Sequence, residues 1–542
     1  MTRRKSGQGP LLPLIIIGLL GTGGCFGIIG DPSGSSIGEE VESEIAVSGL
    51  RRLTAQEYAT TVQDLVGFVP VNVREILPID PLLPFDNDFT YQKASEALIQ
   101  GADLLAGDIA TGVLADTALR DKLVGCAPSG PADATCFRSF VSTFGRKAFR
   151  RPLATAEIDK FAGFLAHATI SGDFYTAVDS AIRAFFQHPA FLYRVEIGTP
   201  VAGSPGVNKL DDYEVATRLS YFITGSTPED WLLDDVAGGK LATADGLHAA
   251  AEKLFQEDRA KSRMSRFHEL WLGYSTLANT GISADMRGET DALISRIIFD
   301  EKRPWTDMLT SDETFVTPDL ATHYGLPSPG ASPGWVSYGT SGRKGILSQA
   351  TFLSAVSKFG DTSPTQRGLL VRTRLFCQVI PKPPPELMVN VDMPPNAGDP
   401  NACKSERYFM STTSGCKNCH ALMDPIGFGL ERYDAAGRYR DTEPNRPDCV
   451  IDGNGVFDGV GNFNGPAELA DMMLKAGGVD QCVAEQLYRY GAGRTTLDSH
   501  DQALLDRLVA DASAQGGLRL DQFILDFVTS DAIRFRREEA VQ

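Results

Sequence analysis

The sequence has few basic residues for its length, and little in it favours a membrane-spanning protein. Lys and Arg number 51 against 69 Asp and Glu, so the 542 residues carry a formal net charge of −18. Because nucleic-acid binding needs a basic surface, we expect no nucleic-acid partner. The apolar run from Leu11 to Leu20 is too short to cross a bilayer. We therefore expect a soluble body that contacts a membrane only through a lipid anchor.

Several common catalytic motifs are also missing. The sequence contains no G-x-S-x-G nucleophile elbow, no Walker loop and no G-x-G-x-x-G after a strand. His268 and Glu269 match the first two residues of the zinc-protease motif H-E-x-x-H, but Leu272 occupies the position of the second histidine. These absences disfavour hydrolases, nucleotide-dependent enzymes and zinc proteases, and they predict that His268 is a half-buried helix residue.

The N-terminus has the features of an export signal. Arg3, Arg4 and Lys5 precede the apolar run, and the small residues Thr22 to Gly24 precede Cys25. Cys25 resembles the lipidated cysteine of a bacterial lipobox, with Thr22 in place of the usual Leu. We expect an exported protein, periplasmic or associated with the outer membrane as a lipoprotein; simple cleavage and release is the alternative.

The cysteine count fits an oxidising compartment. Of nine cysteines, Cys25 belongs to the signal and two to a motif described below, which leaves six. We expect disulfides, and Cys126 and Cys136 are the easiest pair because a short loop with Pro, Ser and Gly separates them. Cys377, Cys403, Cys449 and Cys482 permit three pairings that the sequence does not distinguish.

Helical patterns dominate the chain. Thr54 to Glu57 and Asp211 to Glu214 are capping boxes that precede apolar residues at helical spacing. Strand signals are sparse, and only Val450 to Phe463, with its Asp-Gly-Asn-Gly turn, predicts a small β-hairpin. The predicted fold class is mainly α: a multi-domain helical protein with a small β-hairpin near the C-terminus.

Proline, glycine and composition shifts divide the chain into segments. We expect a signal peptide at 1–24, a flexible tether at 25–47, helical domains at 48–125, 126–200 and 207–316, an irregular segment and helix at 317–380, a Pro-rich linker at 381–404, a segment at 405–445 whose motif is described next, and a C-terminal helical domain at 446–542.

The motif with the clearest chemistry is C-x-x-C-H, at Cys416, Cys419 and His420. Two thiols at this spacing can add to the vinyl groups of haem, and the histidine next to them then ligates the iron. The sequence lacks a second C-x-x-C that would complete a zinc site. We therefore expect one covalent haem c, with His420 as the metal ligand, so 405–445 is predicted to be a c-type haem-binding segment and the fold class to include a cytochrome c-like haem segment. The alternatives are a plain disulfide between Cys416 and Cys419 and a nonfunctional relic of the motif.

The surroundings of the motif suggest further roles. We expect Pro425 and Gly427 to end the helix after His420 and to leave a backbone carbonyl that accepts the Nδ1 hydrogen. Candidates for the second axial ligand are Met410, Met423, Met472, Met473 and His500, and an open position is also possible. Candidate partners for the haem propionates are Arg432, Tyr433, Arg438, Tyr439 and Arg440.

Several runs resemble the planctomycete-type secreted cytochrome c proteins, which are built from serial domains of unknown function and are also common in myxobacteria. The runs are Arg51 to Tyr58, Phe144 to Pro152, Phe185 to Tyr193, Leu210 to Thr224, Gly345 to Leu353, Thr362 to Gly368, Cys416 to His420, Asp424 to Phe428, Glu431 to Asp434, Gly437 to Arg440 and Leu487 to Arg494. The resemblance implies an exported, mainly helical haem protein. It implies no particular reaction.

Two functions remain open from the sequence. The first is an exported c-type haem protein of the cell envelope that transfers electrons to an unknown redox partner or carries out a haem-linked oxidation. The second is an envelope binding or scaffold lipoprotein that recognises a polymer or partner, with the haem auxiliary. The length of chain before the haem segment motivates the second, since an electron carrier needs only about 100 residues. The sequence assigns no catalytic residue, so enzymatic activity stays an open question.

Overall fold

The computed structural model describes residues 37–357, 361–382, 401–409 and 417–539. Within these residues the chain is mainly helical and carries small antiparallel strand pairs, which confirms the predicted fold class at this level.

The helices are α1 (Glu39–Ser43), α2 (Ala55–Val66), α3 (Val73–Ile76), α4 (Glu96–Ala115), α5 (Thr117–Val124), α6 (Ala134–Ala148), α7 (Thr155–Ala162), α8 (Leu165–Ser171), α9 (Tyr175–Gln187), α10 (Pro189–Leu192), α11 (Asp212–Ile223), α12 (Asp230–Ala237), α13 (Ala244–Phe255), α14 (Asp258–Leu272), α15 (Ile282–Ile294), α16 (Asp307–Thr310), α17 (Pro318–Tyr324), α18 (Ala350–Ser354), α19 (Pro364–Leu370), α20 (Lys404–Phe409), α21 (Lys417–Phe428), α22 (Gly465–Ala476), α23 (Val479–Ala492), α24 (Ser499–Ala514) and α25 (Leu520–Thr529).

The strands are β1 (Arg51–Arg52), β2 (Tyr193–Arg194), β3 (Thr199–Pro200), β4 (Val207–Lys209), β5 (Glu313–Val316), β6 (Gly334–Ser337), β7 (Thr442–Glu443), β8 (Arg446–Val450), β9 (Asn454–Phe457), β10 (Gly461–Asn464) and β11 (Phe535–Arg537). Each pairing is antiparallel: β1 with β2, β5 with β6, β7 with β8, β9 with β10, and β4 between β3 and β11.

Helix starts follow the predicted capping chemistry. The Thr54 side chain accepts from the Glu57 amide while the Glu57 carboxylate accepts from the Thr54 amide, and Asp211 and Glu214 form the same reciprocal pair at the start of α11. Each box satisfies amide groups that have no partner within the helix. Both predicted capping boxes are confirmed.

A first hydrophobic core lies in the N-terminal bundle (residues 51–196), where α2, α4, α6 and α9 pack together. Phenylalanine rings fill much of it; the Phe161 and Phe185 rings stack with centroids 4.0 Å apart, and Phe144 meets Phe185 edge-on. Helix α4 is long and apolar enough to cross a membrane by composition, but Leu105 and Ile109 on it are fully buried in this core. It is a core helix of the bundle.

A second core lies in the C-terminal half (residues 207–537) and joins segments that are distant in sequence. Side chains of α11, α14, α21, α22 and α25 contribute to the same hydrophobic cluster. A hairpin is present in the predicted stretch as β9 and β10, with Asn454 opposite Asn464. Its turn is at 458–460, whereas the predicted Asp-Gly-Asn-Gly turn lies at the start of β9, on the connection from β8. The sequence did not predict β5 and β6, in which Phe315 pairs with Trp335, because α17 separates the two strands and no tight turn marks them.

Three disulfides join the six cysteines outside the signal and the C-x-x-C-H motif. They link Cys126 to Cys136, Cys377 to Cys482 and Cys403 to Cys449. The structure thus selects one of the three pairings that the sequence left open. The second disulfide spans 105 residues of sequence and the third spans 46, so both connect distant parts of the C-terminal half.

Candidate functional site

The C-x-x-C-H motif lies at the start of helix α21. Cys419 and His420 are in its first turn, whereas Cys416 lies outside the described residues, as does Cys25. Among the described cysteines Cys419 is the one with a free thiol, and its side chain is partly exposed. Because the other six are in disulfides, Cys419 is the described cysteine that remains able to form a thioether.

His420 is held by a carboxylate one turn further along the same helix. Its Nδ1 lies 2.9 Å from Oδ2 of Asp424, whose residue is only 7% exposed. This hydrogen bond raises the pKa of His420, while its partial burial acts in the opposite direction. When Nδ1 carries the hydrogen, Nε2 keeps its lone pair and is the nitrogen that can bind a metal.

This geometry corrects one prediction. Pro425 and Gly427 do not end the helix after His420; α21 continues through both to Phe428. A proline inside a helix removes a hydrogen bond and crowds the preceding turn, so the cost is offset by packing elsewhere. Because the helix continues, Asp424 reaches the same face as His420 and replaces the expected backbone carbonyl as the acceptor.

The packing that supports α21 comes from α19. A Cβ at Gly368 would lie 1.8 Å from the carbonyl oxygen of Met423, and a Cβ at Gly427 would lie 1.8 Å from that of Pro364. Each glycine therefore admits the backbone of the other helix. The two helices run antiparallel at this contact, since residues 364 and 368 oppose 427 and 423.

The same crossing anchors the carboxylate. The Thr365 hydroxyl on α19 donates to Oδ1 of Asp424 at 2.6 Å, while Oδ2 faces His420. Both oxygens of Asp424 thus have a fixed partner, and the imidazole orientation is determined by a second helix. This Thr365–Asp424–His420 chain was not found from the sequence; the four-residue spacing of Asp424 from His420 would have indicated it if the helix had been predicted to Phe428.

A buried ionic network centres on Arg367 of α19, next to the crossing with α21. Arg367 is 2% exposed and donates to the carbonyl oxygens of Leu430 and Tyr433 and to the Glu431 carboxylate. Glu431 also accepts from Lys404 and Arg440, each at 3.0 Å. Three cationic partners offset the cost of burying this carboxylate.

Asp361, three residues before helix α19 begins, is a second carboxylate in this network. Burial alone would raise the pKa of Asp361, but Lys404, with Arg440, holds it well below its usual range. The network therefore ties three separated stretches together: 361–367, Lys404 and 431–440. The runs from Thr362 to Gly368, from Glu431 to Asp434 and from Gly437 to Arg440 carry the family resemblance, and in the structure they contact one another through this network.

The side chains predicted as partners for the haem propionates already contact other groups of the protein. Arg440 pairs with Asp361 and Glu431, Arg438 pairs with Asp434, and Arg432 donates to the carbonyl oxygen of Ile451. Tyr433 is buried, and the Tyr439 hydroxyl donates to Asp441. Since these side chains have structural partners in the protein, the structure offers no support for a propionate role.

The candidates for the second axial ligand have different environments. Met410 lies outside the described residues. Met423 is buried at the α19 crossing, and Met473 is fully buried in the second core with Met472 packed partly exposed against it. His500 hydrogen-bonds Asp498 at the start of α24. The side chain that holds His420 within the described chain is Asp424, which is none of these four.

The prediction that His268 is a half-buried helix residue is wrong about its burial. His268 is fully buried rather than half-buried, with Nδ1 2.8 Å from the Met264 carbonyl oxygen and Nε2 accepting from the Trp305 indole. Burial lowers its pKa to about 4. Its two ring nitrogens are thus taken up inside the core, and no metal role is supported.

One group within the described part of the chain has the spacing of metal ligands: Cys403, Glu443 and Cys449. The two sulfurs form a disulfide with each other. Because metal binding needs thiolates, this group does not provide a metal site.

Five domain families match the chain in series, each described as a protein of unknown function. DUF1587 matches residues 51–115, DUF1595 matches 136–196, DUF1592 matches 210–326, DUF1588 matches 343–443 and DUF1585 matches 461–533. These domains are typical of the planctomycete-type cytochrome c proteins. The helix crossing, the ionic network and the C-x-x-C-H motif all lie in the DUF1588 match. A search of curated proteins and a search of solved structures found no match.

Proposed function

We propose that this protein is an exported c-type haem protein of the cell envelope. The observation that carries the proposal is the state of Cys419 and His420: the thiol is free while the other described cysteines are paired, and the adjacent imidazole is oriented by Asp424. Cys416 and Cys419 would hold one haem c through thioethers, and His420 would ligate the iron through Nε2.

The residues present fit such a group. The fixed Nδ1 contact leaves one ring nitrogen of His420 available, and the histidine side chain is 27% exposed, so a ligand can approach it. A bound haem supplies one-electron redox chemistry. The protein's own contribution is to orient the histidine: Thr365 fixes Asp424, and Asp424 holds the Nδ1 hydrogen and makes the ring a stronger donor.

Export and lipidation complete the proposal. The basic and apolar N-terminal segments would direct export, and acylation of Cys25 would anchor the protein to a membrane. The tether would be shorter than the expected 25–47, because helix α1 and the fully buried Ile45 lie within that range. The three disulfides support an oxidising compartment, because such bonds persist outside the cytosol. The redox partner would then be another envelope component.

A second candidate is an envelope scaffold lipoprotein with an auxiliary haem. It is favoured by the size of the N-terminal bundle, which has its own core and precedes the haem segment. These helices would recognise a polymer or partner. In this case His420→Ala leaves partner binding unchanged, whereas the first proposal requires the haem for function.

The test is a reduced pyridine haemochrome spectrum with a haem stain of the denatured protein, after expression in a host with c-type maturation. We expect covalent haem in the parent and none in Cys416→Ala plus Cys419→Ala. The matched control is Cys126→Ala plus Cys136→Ala, which removes a disulfide and keeps the haem. An exported parent without haem would overturn the proposal and leave the scaffold as the better function.

A further readout separates electron transfer from oxidation chemistry. Reversible titration of the haem without binding of carbon monoxide or peroxide would support an electron carrier, since both axial positions would then be filled. Binding of either ligand to the iron would support a haem-linked oxidoreductase.

A further inference from the structure

The loop between helices α3 and α4 carries an exposed apolar run. The run is 78–84, with the sequence Pro-Ile-Asp-Pro-Leu-Leu-Pro. Ile79 is 90% exposed, Leu82 is 50% exposed and Leu83 is 41% exposed. Because each proline restricts the backbone, the loop presents these side chains without much conformational freedom to lose on binding.

The one charged residue of this run is turned inward. The carboxylate of Asp80 is held by Arg52 of β1, and both side chains are nearly buried. Burial raises the pKa of Asp80 to about 6, although Arg52 acts in the opposite direction. The outer surface of the loop is therefore apolar, with its single acid paired beneath it.

Exposed apolar side chains of neighbouring segments extend this surface. The Arg52 amide donates to the side chain of Gln92, and the preceding residue, Tyr91, is exposed. Leu50, two residues before Arg52, is exposed as well. Single exposed apolar side chains are ordinary, but several that surround one point mark a binding surface. We call this group the apolar loop surface; its members are Leu50, Ile79, Leu82, Leu83 and Tyr91.

This surface lies near the point where the N-terminal segment joins the body. Ile45 is fully buried and Val47 forms a β-bridge with β11, so the chain is docked immediately before Leu50. Twelve positions separate Cys25 from Ile37, where the described chain begins, and that length of chain reaches at most about 40 Å. A bilayer that holds an acyl group on Cys25 is therefore within reach of the apolar loop surface.

We propose that the apolar loop surface inserts into a lipid bilayer, so that the body of the protein contacts the membrane beside its lipid anchor. The inference rests on the proposed export and lipid anchoring, and it does not depend on the haem. It adds a second contact to the anchor, which the sequence alone predicts as the sole membrane contact.

The chemistry of the side chains fits an insertion of this kind. Ile79, Leu82 and Leu83 would enter the acyl region, while Tyr91 is an amphipathic ring suited to the level of the headgroups. Because the anchor keeps the loop close to the bilayer, even a weak apolar contact is formed most of the time. The acidic net charge of the chain does not oppose a contact with uncharged lipid.

The test is sedimentation of the exported Cys25→Ala protein, which has no acyl group, with lipid vesicles. One set contains phosphatidylcholine alone and the other phosphatidylethanolamine with phosphatidylglycerol. We expect binding to phosphatidylcholine that does not fall as salt is added, because the contact is apolar. Binding to the anionic vesicles should be weaker at low salt, since the chain carries a net charge of −18.

Ile79→Asp plus Leu82→Asp should weaken vesicle binding at least tenfold, while the melting temperature stays unchanged because both side chains are exposed. The matched control is Ile170→Asp plus Leu474→Asp. These residues are 86% and 41% exposed and lie on α8 and α22, outside the apolar loop surface, so the control should bind as the parent does.

A fluorescence measurement reports insertion directly. Lipids brominated on their acyl chains should quench the added tryptophan of Ile79→Trp and leave that of Ile170→Trp unquenched. Absence of sedimentation at millimolar phosphatidylcholine, parent-like binding by the Ile79 and Leu82 variant, or an equal loss in the control would overturn the proposal. Acylation of Cys25 and haem content are measured by mass on the parent, so failure of either is distinguished from failure of the loop to bind.

Discussion

The N-terminal bundle and the C-terminal half are stabilised in different ways. In the bundle, neighbouring helices pack aromatic rings such as Phe144, Phe161 and Phe185, and its disulfide closes a separation of only 10 residues. In the C-terminal half, distant segments meet through a close helix crossing, a buried ionic network and disulfides that span 46 and 105 residues.

The comparison shows that the site around His420 depends on contacts between residues that are far apart in sequence. A bundle of sequential helices forms mainly local contacts, whereas a site assembled from residues 361–367, 404 and 417–440 incurs the entropy cost of closing long loops. The orientation of His420 is therefore linked to interactions that are far apart in sequence. Breaking these interactions should affect the C-terminal half more than comparable changes affect the bundle.

The largest effect is expected from the long-range disulfide. Cys377→Ala plus Cys482→Ala should lower the free energy of unfolding by about 4–5 kcal/mol, because the lost link restores the entropy of a long loop in the unfolded chain. Cys126→Ala plus Cys136→Ala should cost about 3 kcal/mol, since its loop is short. Denaturant unfolding of both variants measures the difference; a larger loss for the N-terminal pair would contradict the comparison.

Removal of the central arginine should cost nearly as much. Arg367→Ala leaves Glu431 with one fewer cation and several carbonyl groups without a donor, so we expect a loss of about 3–5 kcal/mol. Arg138→Ala in the bundle is the control, because its pair with Asp159 is exposed and should contribute less than about 1 kcal/mol. Chemical unfolding measures both, and equal losses would argue against a network contribution.

The helix crossing gives a smaller effect. Gly368→Ala places a methyl group against the Met423 backbone, so the helices must separate, at a cost of about 1–3 kcal/mol. Gly288→Ala is matched to it, since Gly288 also lies in a helix but has open space around it. That change should stabilise by about 0.4–1 kcal/mol. Thermal unfolding shifts of opposite sign are expected, and a neutral Gly368→Ala would refute the close contact.

The last effect is confined to a pH range and concerns a buried acid that the sequence did not indicate. Burial raises the pKa of Glu289 to about 7, although Thr314 and Tyr324 donate to its carboxylate. The pKa of Glu289 is higher in the folded protein than in the unfolded chain. Its contribution to the free energy of unfolding is therefore full below about pH 4.5 and is lost as the pH rises towards 7. Glu289→Gln should remove this pH dependence, which amounts to about 3 kcal/mol for the rise in pKa from 4.5 to about 7. Unfolding measured between pH 4.5 and 8 tests it; an unchanged slope would contradict the assignment.

Local chemistry was predictable from the sequence, and the site's long-range contacts were not. The capping boxes at Thr54 and Asp211 depend on residues three apart, so the sequence predicted them correctly. The continuation of α21 through Pro425 depends on α19, a separate segment whose glycine opposes Met423. The pairing of Arg367 with Glu431 joins residues 64 apart, and no local pattern indicates it. The C-x-x-C-H motif could be identified from sequence, but the acceptor that orients its histidine could not.

The most direct test of the proposed haem site is mass spectrometry of the peptide that contains residues 416–420, prepared from the exported protein without reductant. We expect this peptide to carry one haem, bound at Cys416 and Cys419. A haem-free peptide whose mass is lower by two hydrogens would show a disulfide between these cysteines and would contradict the haem-protein proposal.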